Sequence, residues 1–121
     1  NVYLEGIVLK PKMVLSGYNC ENQASVEEVA QKTLECLTKN VPSKVPGIAF
    51  LSGGQSDELA TLHLNEINKH DTNWNVTFSY GRALQQSALK IWAGKSDNAK
   101  AAQETLLSRA KSNSLASTAS L

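Results

Sequence analysis

Little in this chain is present in excess. Its 12 lysines and arginines nearly balance its 11 aspartates and glutamates, for a formal net charge of +1. Charge therefore gives no reason to expect a nucleic acid or an anionic membrane as partner. No apolar run approaches the roughly 18–20 residues that a membrane span needs, and no signal-peptide pattern is visible at the start. The two cysteines, Cys20 and Cys36, are weak evidence for a disulfide framework. Nor do they stand at zinc-type spacing from His63 and His70. Both histidines are expected to be structural or surface residues, and both thiols reduced, as in a cytoplasmic protein. The first residue is Asn1 and not Met, which reads as a processed or truncated start. What remains, with 121 residues of which 41% are apolar and 19% charged, is one small globular domain with a modest core.

Against that plain background one pattern recurs. Leu4–Leu9 runs into Lys10-Pro11. Gly47–Leu51 runs into Ser52-Gly53-Gly54-Gln55-Ser56, and Trp74–Phe78 runs into Ser79-Tyr80-Gly81-Arg82. Each apolar run reads as a strand, and the first, nearly continuous, as one buried on both faces. Glu5 is its exception and would need a partner. Helical spacing follows each cluster. Ser25-Val26-Glu27-Glu28 is a capping box, ahead of an apolar face of Val26, Val29, Ala30, Thr33, Leu34 and Leu37 that should end near Asn40, before Pro42. A second helix from Ser56-Asp57-Glu58 is predicted to bury Leu59, Leu62, Leu64 and Ile67. A third after Arg82 is predicted to bury Leu84, Ala88, Leu89, Ile91 and Trp92, and to stop at Gly94. A last helix should start near Ser96. Residues 1–114 form the predicted domain, and 115–121 read as a disordered Ser/Ala-rich tail.

Strand, reactive cluster and helix, three times over, predict an α/β fold with chemistry at the carboxyl ends of parallel strands. The interval between strand ends is near the roughly 31 residues per unit of a (β/α)8 barrel. Three parallel strands cannot close a barrel and would leave both edges open. The expectation is therefore a partial (β/α)8 TIM barrel.

The clusters differ in how much chemistry they imply. A lysine where a buried strand emerges, partly desolvated, can be a neutral amine that attacks a carbonyl and forms a Schiff base. Taken alone, Lys10 reads more simply as an exposed lysine closing a strand. Ser52, Gly53 and Gly54 stand at a strand-to-helix junction, where glycines let backbone N–H groups approach an anion. A tight turn needing glycine would look the same. Arg82 has a fork that suits a phosphate, with Ser79 and Gly81 adding a hydroxyl and an N–H. Alone, it too could point to solvent.

Three segments, in order, resemble signatures of the class I fructose-1,6-bisphosphate aldolases: Leu4 to Val14, Phe50 to Ser56 and Thr77 to Gln85. The likeness continues through Ser87-Ala88-Leu89-Lys90 and Ala101-Ala102-Gln103-Glu104 and covers the chain to about Ser114. The resemblance implies a TIM barrel of which this chain is the last three βα units plus C-terminal helices. It implies that Lys10 is the Schiff-base lysine and that Ser52, Gly53, Gly54, Ser79, Gly81 and Arg82 bind a substrate phosphate. Lys12 departs from an asparagine usual at its place. The implied activity is glycolytic: reversible retro-aldol cleavage of a phosphorylated ketose, without metal or cofactor, because the iminium is the electron sink. Acid/base residues would come from earlier barrel strands and a tyrosine from the family's C-terminus, so the piece alone should be inactive. The full-length enzyme would be a homotetramer. Competing readings are another Schiff-base phosphosugar barrel, such as a transaldolase, or a non-catalytic binding module.

Overall fold

The computed structural model describes residues 1–121. Its spine is a parallel sheet of three strands in chain order: β1 (Val8–Leu9), β2 (Gly47–Phe50) and β3 (Asn75–Phe78). Helix α1 (Val26–Asn40) connects β1 to β2, and α2 (Asp57–Asn68) connects β2 to β3. Helices α3 (Arg82–Trp92) and α4 (Ala99–Ala116) follow, joined by a short 3-10 turn at Ser96–Asn98. Leu9 pairs with Ile48 and Ile48 with Val76, so one register line crosses all three strands.

One face of the sheet is covered. Ile48, Phe50 and Val76 are buried with Val29, Ala30 and Leu37 of α1 and Ala60, Leu64 and Ile67 of α2. The intervening positions are more open: Gly47 and Ala49 are half-buried, and Asn75 and Thr77 exposed. Alternation of this kind follows from the two-residue period of a strand packed on one side. It differs from the two-faced burial expected of the first run. There, only Val8 and Leu9 pair with β2, while Leu4–Gly6 form a 3-10 turn closed by Gly6 N–H and Ile7 N–H donating to Tyr3 O and Leu4 O. Val8 is 61% exposed. Gly6 has no side chain to pack in a strand, and β1 has a neighbour on one edge only. Glu5 needs no buried partner because it is exposed and faces Lys44 at 4.0 Å.

Two helices start as their sequences predict. Ser25 Oγ accepts from Glu28 N–H at 3.1 Å, and Ser56 Oγ accepts from Leu59 N–H at 3.2 Å. Helix α1 ends at Asn40. The buried face of α2 is rotated from the expected one. Leu64 and Ile67 are fully buried, but Leu59 and Leu62 are more than 40% exposed, and Asp57, Thr61, His63 and Asn65 go inside. Polar partners account for this. Thr61 donates to Asn113 Oδ1 (2.8 Å), Arg109 donates to Asp57 O (2.6 Å), and Ser87 donates to the Asp57 carboxylate. Hydrogen bonds to α3 and α4 thus make a polar stripe buriable. On α3 the buried residues are Ala83 and Ala88, with Leu84 half-buried; Leu89, Ile91 and Trp92 remain substantially exposed.

The expected tail takes a different form. Helix α4 runs to Ala116, which is fully buried and whose carbonyl accepts from Asn68. Ser117 Oγ lies 3.1 Å from Thr77 Oγ1, and Leu121 N–H donates to Asn65 Oδ1 at 3.1 Å. Small residues allow this close approach to α2 and β3, and composition alone does not reveal such partners.

Asn113 is the centre of the α2–α4 contact, with no exposed surface and bonds to Thr61 and Arg109 O. Asn113→Ala is expected to destabilise the chain by about 1–3 kcal/mol, the cost of stranding buried polar partners. Ser114→Ala, at an exposed position, should change stability by less than about 0.5 kcal/mol. Urea unfolding of both variants checks this.

Candidate functional site

The parallel register continues past the strand ends. Leu51 N–H donates to Pro11 O at 2.9 Å, and Ser79 N–H donates to Phe50 O at 2.7 Å. These two bonds hold the Lys10-Pro11, Leu51-Ser52 and Phe78-Ser79 segments side by side at one rim. A pocket of about 390 Å³ opens there, lined by Lys12, Tyr18, Leu51, Ser52, Gly53, Ser79, Gly81 and Arg82.

Five of the seven residues singled out from the sequence therefore share one pocket: Ser52, Gly53, Ser79, Gly81 and Arg82. Gly54 lies next door, in a second cavity of about 290 Å³ bounded also by Tyr18, Gln55, Ser56 and His63. Lys10 lines neither pocket and is exposed at the end of β1. The desolvation expected for its amine is not provided by neighbours within this chain.

The loop after β2 has its carbonyls turned away from its amides. Ser52 O accepts from the Gln55 N–H (3.2 Å) and from Gln55 Nε2 (2.9 Å), and Gly53 O accepts from the Tyr18 hydroxyl (2.8 Å). In a planar trans peptide the N–H points opposite the C=O. The N–H groups of Gly53 and Gly54 are thus directed away from these partners, and neither donates within the chain. Gly53 and Gly54 have φ of +62° and +86°, the left-handed region that side chains other than glycine's occupy at a cost. Both amides are thus free backbone donors, the kind of group an anion accepts from.

The third junction is built differently. Unlike α1 and α2, helix α3 has no side-chain cap; Gly81 is its N-cap residue. Leu84 and Gln85 donate back to Gly81 O, leaving the Arg82 and Ala83 N–H groups without a partner in the chain. An uncapped helix start carries partial positive charge and free donors. Arg82 is exposed beside it, and Ser79 stands half-buried opposite. Tyr80, between them, turns inward and donates to Ala60 O at 2.8 Å, and its burial pushes the phenol well above its ordinary pKa. It anchors the segment and does not titrate at physiological pH.

Three further residues bear on the site. Tyr18 reaches Gly53 across a 35-residue separation. Lys12 lays its methylenes against Gly53 and joins Arg82 in the pocket lining. Gln55 bonds Ser52, Met13 Sδ and His63. Only Lys12 had a visible signal, its charge two residues from Lys10.

A family model described as "Glycolytic: Fructose-bisphosphate aldolase class-I" matches residues 1–121. The chain belongs to the class-I fructose-bisphosphate aldolase family. Chloroplastic fructose-bisphosphate aldolase 2 of Pisum sativum is 58% identical over 116 residues, 96% of this chain and 33% of that protein. Fructose-bisphosphate aldolase A of Salmo salar is 52% identical over 96% of this chain and 32% of its own length. Among solved structures, the fructose-bisphosphate aldolase from Plasmodium falciparum, in complex with TRAP and a small-molecule inhibitor, superposes with a TM-score of 0.92 at 48% identity. That match covers 97% of this chain and 34% of the other. The chain thus spans about a third of the length of the aldolases it matches. Both exposed cysteines are free, and no helix is long and apolar enough to cross a membrane.

His63 gives the site a pH signature. It is buried, and burial holds its pKa below the ordinary 6.5. Between 6.5 and the lower folded value, the unfolded chain binds a proton that the folded chain does not. Stability is therefore full above pH 6.5, falls as pH drops through that window, and levels off below the folded value. Urea midpoints from pH 8 to 5 should show this slope, and His63→Asn should flatten it. A second expectation concerns the loop: Gly54→Ala should cost about 1–2 kcal/mol from its positive φ, read from the same urea curves.

Proposed function

We propose that this chain is the carbonyl- and phosphate-handling part of a class I fructose-1,6-bisphosphate aldolase, formed by the last three βα units and terminal helices of a (β/α)8 barrel. The observation that carries the reading is the convergence of Ser52, Gly53, Ser79, Gly81 and Arg82 on one pocket at the carboxyl ends of β2 and β3, in a chain of this family. A parallel sheet in chain order, with one face covered and an unpaired strand edge at each side, supports the barrel part of the proposal.

Ser52, Gly53 and Gly54 form one jaw of a phosphate clamp and Ser79, Gly81 and Arg82 the other. Backbone N–H groups and the start of α3 supply dipoles, and Arg82, with Lys12, supplies charge. A phosphate held there orients the ketose carbonyl towards Lys10. The Lys10 amine adds to that carbonyl, and loss of water gives a protonated imine. Cleavage of the carbon–carbon bond sends its electron pair to the iminium nitrogen, and glyceraldehyde 3-phosphate leaves. Protonation of the resulting enamine and hydrolysis of the imine release dihydroxyacetone phosphate and restore the amine. The proton-transfer groups belong to barrel strands outside this chain in this reading, which also supplies the surroundings that would desolvate Lys10. A cytoplasmic setting and a homotetrameric whole enzyme go with it. The two free cysteines fit a reducing compartment.

Borohydride trapping with dihydroxyacetone phosphate tests the proposal. In a polypeptide that completes the barrel, the label should fall on Lys10, and Lys10→Ala should abolish cleavage of fructose 1,6-bisphosphate. The 121-residue chain alone should label slowly and cleave nothing measurable. Labelling of a different lysine, or near-enzyme labelling rates in the isolated chain, would refute the reading. Arg82→Ala should weaken phosphate binding by about tenfold or more, the loss of one charge-assisted contact, and raise KM in the completed enzyme.

A further inference from the structure

We propose that His63 is a positioning residue for the anion-binding loop, acting through Gln55. This rests on the phosphate-clamp reading and names a residue behind the clamp that sets its shape. Gln55 sits at the end of the Ser52-Gly53-Gly54 turn and bonds in three directions. Its Nε2 donates to Ser52 O at 2.9 Å and to Met13 Sδ at 3.5 Å, and its Oε1 lies 2.5 Å from His63 Nδ1. The side-chain amide has one workable orientation. Turning it over would aim Oε1 at the Ser52 carbonyl, two acceptors facing each other. Gln55 Oε1 is therefore the acceptor in the contact with His63, and His63 Nδ1 must carry the proton.

The consequence reaches the site by a short path. His63 fixes Gln55, Gln55 holds the Ser52 carbonyl back, and the planar peptide then turns the Gly53 N–H away from that carbonyl. Tyr18 does the same for the next peptide by donating to Gly53 O. His63 is 4% exposed on α2 and Met13 is 5% exposed, so both supports of the Gln55 amide sit in packed surroundings. His63 also borders the cavity on the Gly54 side of the loop and is absent from the lining of the anion pocket. It acts on the loop from behind and touches no bound anion.

The test uses the 121-residue chain, with inorganic phosphate as the probe. Nitrogen-15 NMR of His63 should give the neutral tautomer protonated on Nδ1; protonation on Nε2 alone would overturn the proposal. Phosphate titration should shift the Ser52, Gly53 and Arg82 amides of the wild-type chain. His63→Gln, which keeps an N–H donor, should bind phosphate within about threefold of wild type. His63→Phe, which fills the space without a donor, should bind about tenfold more weakly, the equivalent of one lost hydrogen bond. Equal affinity for His63→Phe and wild type would overturn the role of His63 and leave the clamp standing. No saturable shift in the wild-type chain would overturn the clamp itself and this proposal with it.

Discussion

Everything at this rim depends on the parallel register being carried past the strand ends. The Leu51–Pro11 and Ser79–Phe50 hydrogen bonds tie together segments that are dozens of residues apart in the chain. Without them, a lysine, a glycine turn and an arginine would be three unrelated loop features. With them, the end of each strand becomes a fixed point from which a short loop can aim its donors. Parallel strands bring all their carboxyl ends to the same side, so chemistry added to successive loops accumulates in one place.

Two kinds of free backbone donor border this rim. After β2 the loop relies on positive-φ glycines, with carbonyls pulled back by Gln55 and Tyr18. After β3 it relies on a helix start that lacks a side-chain cap. Helices α1 and α2 spend a serine hydroxyl on their first turns; α3 leaves its first amides free. Capping stabilises a helix by about 1 kcal/mol, so an uncapped start is a small local sacrifice that a ligand can recover.

The parallel sheet is asymmetric. One face carries the core with α1 and α2, and the other exposes Asn75 and Thr77. Helices α3 and α4 do not simply add apolar area to that core. They bury a polar stripe of α2 by bonding it, through Ser87, Arg109 and Asn113. Burial of these groups is favourable only as a set, because each is the partner that makes the next one affordable.

Local physics made much of this legible from the residues alone. Serines at helix starts, proline after Asn40, apolar runs ending in glycine clusters and three ordered signatures identified the elements, the family and five residues that share a pocket. These features act over a few positions, so the chain records them directly. The first run is not a full strand, because its pairing with β2 begins only at Val8 while Leu4–Gly6 close a 3-10 turn on their own backbone. Leu59, Leu62, Leu89, Ile91 and Trp92 stay exposed against the periodicity, which marks an apolar face without saying what covers it. The docked end of α4, the Tyr18 contact and the His63–Gln55–Ser52 support were decided by tertiary structure. Each joins atoms whose separation in sequence carries no pattern, and a hydrogen bond depends on where its two ends are held.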